Sequence, residues 1–234
     1  VRYFVMGSQV WKSAATWPPA DTEEKTYYLT SQGDADQVRG SGALQCRESA
    51  DNARDEYEYD PRDPVPTLWT QELFSGPADR RRLEWRRDIL YYRTPPLQEE
   101  LEIAGYPVAV LFVTSSAPDT DFFVRLIDED PDGKALEVCY GMVRVRHRHS
   151  LDREELIAPG DLVELRVKLG ATACNFRRGH CLRLELTSSD FPNHDRNHNT
   201  GGNDLAAVDL AVARQTVFHG GDRPSRLILP AAGA

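Results

Sequence analysis

The chain has 234 residues, with 28 Lys and Arg against 37 Asp and Glu, and carries a formal charge of −9 at pH 7. That length buries a substantial core within one all-β unit, and the acidic balance excludes nucleic acid and an anionic membrane as partners, because phosphate recognition needs a basic face. No apolar run of 18 residues, no charged-then-apolar leader and no Cys-x-x-Cys pair occurs among Cys46, Cys139, Cys174 and Cys181, so a soluble cytoplasmic protein without zinc ribbon or disulfide framework is expected.

In chain order, residues 1–7 (Val1-Arg2-Tyr3-Phe4-Val5-Met6-Gly7) read as a strand from the first residue. Domain termini are usually loosely held polar segments, so this start predicts a chain cut from a longer one at a domain boundary. The turn at Trp17-Pro18-Pro19 leads to a strand over 27–30, and Ser31-Gln32-Gly33-Asp34 turns the chain again. Residues 34–82 are poor in apolar side chains and rich in Gly, Asp and Pro, which predicts a long excursion over the surface. β-Branched and aromatic runs then predict strands over 89–92, 101–103, 108–113, 122–128, 138–140, 142–148, 162–167, 181–186 and 215–218. Residues 162–167 alternate Leu162, Glu164, Arg166 against Val163, Leu165, Val167, the signature of a strand with one buried and one wet face. Residues 204–213 are ambiguous between a loop and a short helical turn. Many short strands punctuated by Pro131-Asp132-Gly133, Ala158-Pro159-Gly160 and Gly201-Gly202 predict a single all-β domain over 1–234, a jelly-roll β-sandwich.

Several constellations could carry chemistry. Asp119, Asp121, Asp128, Asp130 and Asp132 are hard oxygen donors, yet they lack the Asp-x-Asp-x-Asp-Gly spacing with a distal Glu, so no metal and no cofactor is assigned. His147 and His149 would point the same way on a strand, His194 and His198 fall in a polar loop locked by its own side chains, and His180 reads as a buried hydrogen-bonded ring. Arg80-Arg81-Arg82, Arg86-Arg87, Arg144, Arg146 and Arg148 read as solvated or ion-paired positions, Cys139 as a small buried thiol, and a Cys174 to Cys181 bridge across a turn stays open. Ser188, Ser189, Asp190 and His194 are close only in sequence, which is poor grounds for a triad. No Gly-x-Ser-x-Gly elbow occurs anywhere, so no catalytic residue is assigned.

The run Ser188-Ser189-Asp190-Phe191-Pro192-Asn193-His194-Asp195-Arg196-Asn197-His198-Asn199-Thr200-Gly201 resembles a segment of the C-terminal β-sandwich of the X-Pro dipeptidyl-peptidase and cocaine esterase family of serine hydrolases. The resemblance continues in order through Trp11, Trp17-Pro18-Pro19, Tyr57-Glu58-Tyr59-Asp60-Pro61-Arg62-Asp63-Pro64-Val65-Pro66-Thr67, Asp119-Thr120-Asp121-Phe122, Gly141-Met142-Val143-Arg144-Val145-Arg146, Gly179-His180 and Leu229-Pro230. Two departures stand out: Leu68-Trp69-Thr70 replaces the family's usual Gly-Gly after Pro-Val-Pro-Thr, and Arg80 replaces its usual Gln.

The resemblance implies a galactose-binding-like jelly roll that is the non-catalytic C-terminal domain of a dipeptidyl-peptidase, acylase or esterase. Its partner would be the catalytic α/β-hydrolase domain of the same parent chain, which is absent here, and a homo-oligomer stays open. Trp69, Leu73 and Phe74 are the candidate interface or cleft-facing residues, because exposed aromatics on a polar loop imply a partner; plugging one end of this domain's own core is the equal alternative. The competing account is a free-standing carbohydrate- or ligand-binding sandwich with Trp11, Trp17, Trp69 and Trp85 as platforms.

Overall fold

The computed structural model describes residues 1–68 and 77–233. Fifteen strands form among them: β1 (Arg2–Val5), β2 (Val10–Ser13), β3 (Thr22–Thr30), β4 (Ala43–Gln45), β5 (Ala53–Tyr59), β6 (Leu90–Arg93), β7 (Leu101–Gly105), β8 (Val108–Ser115), β9 (Asp121–Glu129), β10 (Ala135–Arg144), β11 (Val163–Lys168), β12 (Thr172–Phe176), β13 (Cys181–Thr187), β14 (Ala213–His219) and β15 (Arg226–Ala232). One layer runs β10-β9-β13-β6, and the other β3-β15-β8-β14-β5, with β11 on the far side of β8 and β7-β12 beside β15. The layers join at one edge, where β4 pairs antiparallel with β3 and parallel with β6 through Ala43 and Arg93.

Strand alternation builds the core between the layers. Leu90 and Tyr92 of β6, Phe122, Val124 and Leu126 of β9, and Leu182, Leu184 and Leu186 of β13 meet Leu29, Ala109, Leu111, Val113, Val217, Leu227 and Leu229 from the opposite layer. In β11 the alternation gives a wet face, with Leu165 and Val167 buried and Glu164, Arg166 and Lys168 exposed. Gly141 lets β10 pass against the loop after β11: a Cβ there would meet the Lys168 carbonyl oxygen at 2.3 Å.

Part of the stretch over 34–82, expected to run over the surface, is built into the sheet. It contributes β4 and the edge strand β5, and Tyr57, Tyr59 and Val65 are buried. Its low apolar content misleads because each of these strands needs only alternate residues in the core. Val65, Leu83, Ile89 and Tyr91 close a second small core against the outward side of β6. Likewise the expected strand over 142–148 ends at Arg144, and Val145–His147 is a 3-10 turn, so His147 and His149 do not share a strand face. Residues 204–213 form turn and loop, with β14 starting at Ala213. All four cysteines are free, which corrects the open Cys174 to Cys181 bridge, and Cys139 is a buried thiol that burial pushes well above its usual pKa.

The outward face of the first layer is also buried, and it is charged. Arg183 and Glu185 of β13, Arg125 of β9 and Arg80 from the segment crossing above them are all nearly inaccessible. Arg80 Nε donates to Glu185 Oε2 at 2.6 Å, Arg183 Nη2 to Glu185 Oε1 at 2.8 Å, and Arg183 Nη1 to Glu84 at 2.6 Å. Arg125 reaches Glu137 and Asp190, both at 2.8 Å, and Arg93 and Arg183 share Glu129 at 3.1 and 3.3 Å. Four guanidinium groups thus meet five carboxylates under a cover made by residues 77–89. Burial pushes the Glu185 carboxyl up, but Arg80 and Arg183 together outweigh it and hold the group below its ordinary value of 4.5.

Removing one partner of such a network strands buried charge. Glu185→Gln is expected to destabilise the chain by about 3–5 kcal/mol, lowering the thermal midpoint by about 10 °C. Because the folded carboxyl has the lower pKa, its contribution is complete above the ordinary value of 4.5 and fades as pH falls through the depressed folded value. Thermal melts of both proteins across this range should therefore converge on acidification. A gap that stays constant with pH would contradict the assignment.

Candidate interface and the polar straps that hold it

The run from Ser188 to Gly201 leaves β13 and ties three parts of the sandwich together. Ser188 Oγ shares a 2.9 Å hydrogen bond with Tyr57 OH, Val65 N donates to Ser189 Oγ at 2.8 Å, and Thr67 Oγ1 donates to Asp190 Oδ1 at 3.0 Å. These bonds anchor residues 57–67 across the first layer. Asn193 Nδ2 then bridges Asp190 and the Tyr140 hydroxyl, and His194 lies 3.3 Å from that hydroxyl. Ser188, Ser189 and His194 therefore face different partners and form no nucleophile–base pair, which needs serine and imidazole within hydrogen-bond reach of each other.

Farther along, Asn197 Nδ2 donates to Asp119 Oδ2 at 2.6 Å and to Asp121 Oδ1 at 2.9 Å. Arg146 Nε donates to Asp119 at 2.7 Å and reaches Asp204 at 3.0 Å, while Arg144 pairs with Asp121 at 2.8 Å. Burial pushes Asp121 above 3.8 against the opposing pull of Arg144 and Asn197. Asp119 and Asp121 are thus committed to arginine and amide donors, Asp128 lies 2.8 Å from the half-buried His180 ring, and Asp130 accepts from the backbone of Asp132 and Lys134 in its own turn. Among the described residues no three His, Cys, Asp or Glu converge as metal ligands. The loop's own backbone accounts for only part of its order. Asn199 N donates to Asn197 Oδ1, but most anchors are remote in sequence.

A second cluster had no signal in the sequence, because its members lie up to 188 positions apart. Asp55 of β5 is buried and accepts from Ser31 Oγ at 2.6 Å, Tyr92 OH at 2.7 Å, His219 Nε2 at 2.9 Å and the Ala35 amide at 3.1 Å. Burial alone raises this carboxyl, and the four donors reverse that and hold it below 3.8. A serine, an imidazole and a carboxylate meet here in the wrong order for acyl transfer. Ser31 Oγ also lies 3.3 Å from His219 Nε2, but the hydroxyl donates to Asp55 at the shorter distances of 2.6 and 2.7 Å and the same Nε2 faces Asp55 at 2.9 Å, so the imidazole is committed to the carboxylate and the cluster fastens β5, β6 and β14 rather than activating a hydroxyl.

Trp69, Leu73 and Phe74 lie outside the described residues. Their flanks are fixed: Thr67 N donates to the Phe191 carbonyl at 2.7 Å, and Asp79 receives the Ala135 amide of β10 at 3.3 Å. The remaining tryptophans build no common platform, since Trp17 packs edge-on to Tyr3 on the inner face of the β1–β2 hairpin while Trp11 pairs with Phe4 on the outer. Trp85 stands apart beside Arg86. No helix among the described residues is long and apolar enough to cross a membrane.

The Asn197 strap yields a graded test. Asn197→Ala removes two donors to buried carboxylates and should cost about 2 kcal/mol, whereas Asn197→Asp sets a third carboxylate against Asp119 and Asp121 and should cost more at neutral pH. Urea unfolding of both variants checks this order, and equal losses at pH 7 would contradict it.

Comparison with known proteins places this geometry. Residues 1–228 match the family described as the X-Pro dipeptidyl-peptidase C-terminal non-catalytic domain. The chain is 41% identical to cocaine esterase from Rhodococcus sp. (strain MB1 Bresler), an alignment covering 98% of this chain but 41% of that protein. The crystal structure of an aminopeptidase from a marine sediment Thaumarchaeota archaeon superposes with a TM-score of 0.89 at 28% identity, over 100% of this chain and 40% of that one. An α-amino acid ester hydrolase superposes at 0.87 and 28% identity, over 99% and 41%. The chain thus spans about two fifths of the relatives it matches, and it belongs to the family of X-Pro dipeptidyl-peptidase C-terminal non-catalytic domains.

Proposed function

We propose that residues 1–234 form one β-sandwich unit that serves as the accessory domain of a serine hydrolase, packing on an α/β-hydrolase domain of the same polypeptide and helping to wall its substrate cleft. The parent reaction is hydrolysis of an ester or amide through an acyl-enzyme, with nucleophile, base and acid all outside this chain. One observation carries the reading: a match along nearly the whole chain to a non-catalytic domain whose relatives are hydrolases about two and a half times longer. Two features of the chain agree with it. The sequence contains no nucleophile elbow, and the hydroxyl, imidazole and carboxylate groups that do meet are locked in buried structural bonds.

Within that arrangement, Trp69, Leu73 and Phe74 face the cleft. Their support is the apolar character of the three side chains and the anchoring of both flanks over the first layer. Apolar walls on a cleft act mainly through uniform binding of substrate and transition state. In the parent hydrolase, Leu73→Ala with Phe74→Ala should raise KM for an aryl ester by about tenfold while leaving kcat within about twofold, with an unchanged thermal midpoint. Unaltered steady-state constants would remove the cleft role, and a collapsed thermal midpoint would assign the pair to the domain's own core instead.

A further inference from the structure

The β1–β2 hairpin is apolar on both of its faces, and only one of them is covered by the described residues. Its register pairs Phe4 with Trp11 and Val5 with Val10. Alternation sends Tyr3 and Val5 inward, where they pack with Ala104, Ala173 and Trp17. The opposite face carries Phe4 and Trp11, 41% and 58% exposed, with ring centroids 5.5 Å apart, and the Arg2 guanidinium lies 4.8 Å from the Trp11 ring. Met6 extends the apolar surface next to them at 36% exposure. Strands elsewhere that turn a face to solvent carry charge there, as with Glu164, Arg166 and Lys168 of β11 or Arg54, Glu56 and Glu58 of β5. Apolar residues on both faces are the pattern of a strand buried on both sides.

The hairpin is also held firmly. Met6 N donates to the Ala173 carbonyl at 3.0 Å, Asn175 N donates to the Met6 carbonyl at 2.8 Å, and Lys12 Nζ reaches Glu102 at 2.7 Å. Gly7 turns with a φ of +81°, and a Cβ there would lie 2.1 Å from the Asn175 carbonyl oxygen, so only glycine allows this close docking onto β12. An apolar patch held this rigidly loses little freedom on being covered, which favours association.

What covers it follows from where the missing length of the relatives lies. The matched family is a C-terminal domain and the chain spans 41% of the esterase, so most of such a relative precedes the segment corresponding to this hairpin. We propose that the outer face of the β1–β2 hairpin, Phe4, Met6 and Trp11 with Arg2 at its rim, is the docking surface for the α/β-hydrolase domain that precedes it in the same polypeptide. This deepens the accessory-domain reading and rests on it. The partner surface offers an apolar recess for the two rings and an acidic or carbonyl group for Arg2.

Hydroxyl-radical footprinting with mass-spectrometric readout tests the proposal, comparing the parent polypeptide with residues 1–234 alone. Modification of Phe4, Met6 and Trp11 should fall by about fivefold or more in the parent, as water is excluded from an interface centre, while Trp85 stays equally reactive in both. Phe4→Ser with Trp11→Ser should lower the thermal midpoint of the parent but shift that of the isolated chain by no more than about 2 °C, as for exposed positions. Equal reactivity in a parent that carries the hydrolase domain would overturn the hairpin assignment alone. A parent with no such domain would overturn the accessory-domain reading and this inference with it. Protection that depends on self-association of the isolated chain would overturn it in favour of a second copy.

Discussion

The arrangement depends on a buried charge network placed on the outward face of a sandwich layer, where a simpler sandwich would meet water. Arg183 and Glu185 alternate with core leucines along β13, and both are buried because residues 77–89 cross above them and bring in Arg80 and Glu84. Charges of this kind tolerate removal from water only when each is met by an opposite charge and hydrogen bonds. The cover and the network therefore require each other.

The same constraint explains the polar run after β13. Ser188, Ser189 and Asp190 hold residues 57–67, and Asn197 reaches the carboxylates at the start of β9. Serine, asparagine and histidine in a hydrolase-like chain invite a catalytic reading, but Ser188, Ser189, Asn193 and Asn197 use their hydrogen bonds to hold the architecture. The Ser31, Asp55, His219 and Tyr92 cluster does the same at the opposite edge. A domain fastened in this way presents fixed surfaces to its neighbours.

Strand positions were legible in the sequence in two ways: β11 and β13 keep an apolar alternation of period two, whereas β8 and β9 are runs of β-branched and aromatic residues. The fate of the polar face was not legible: β11 and β13 alternate alike, yet Glu164 is wet and Glu185 buried, and the difference lies in a covering segment distant in sequence. β5 was missed because its charged residues, Arg54, Glu56 and Glu58, dilute the three buried positions between them. The strand expected through Arg148 failed for a related reason, since Arg146 turns in to meet Asp119 instead of continuing the sheet. Collinear motifs identified the family where composition could not, and the apolar outer face of the first hairpin became meaningful only once its register showed that both faces were apolar.

The central claim is that this domain works without a nucleophile of its own, attached to one that has it. The most direct measurement is fluorophosphonate labelling of the native source, followed by isolation of every species that contains this domain and mapping of the labelled serine. The account predicts a labelled polypeptide well above the 26.4 kDa of these 234 residues, with the label outside them. A native species of 26.4 kDa, or a label on a serine within residues 1–234, would contradict it.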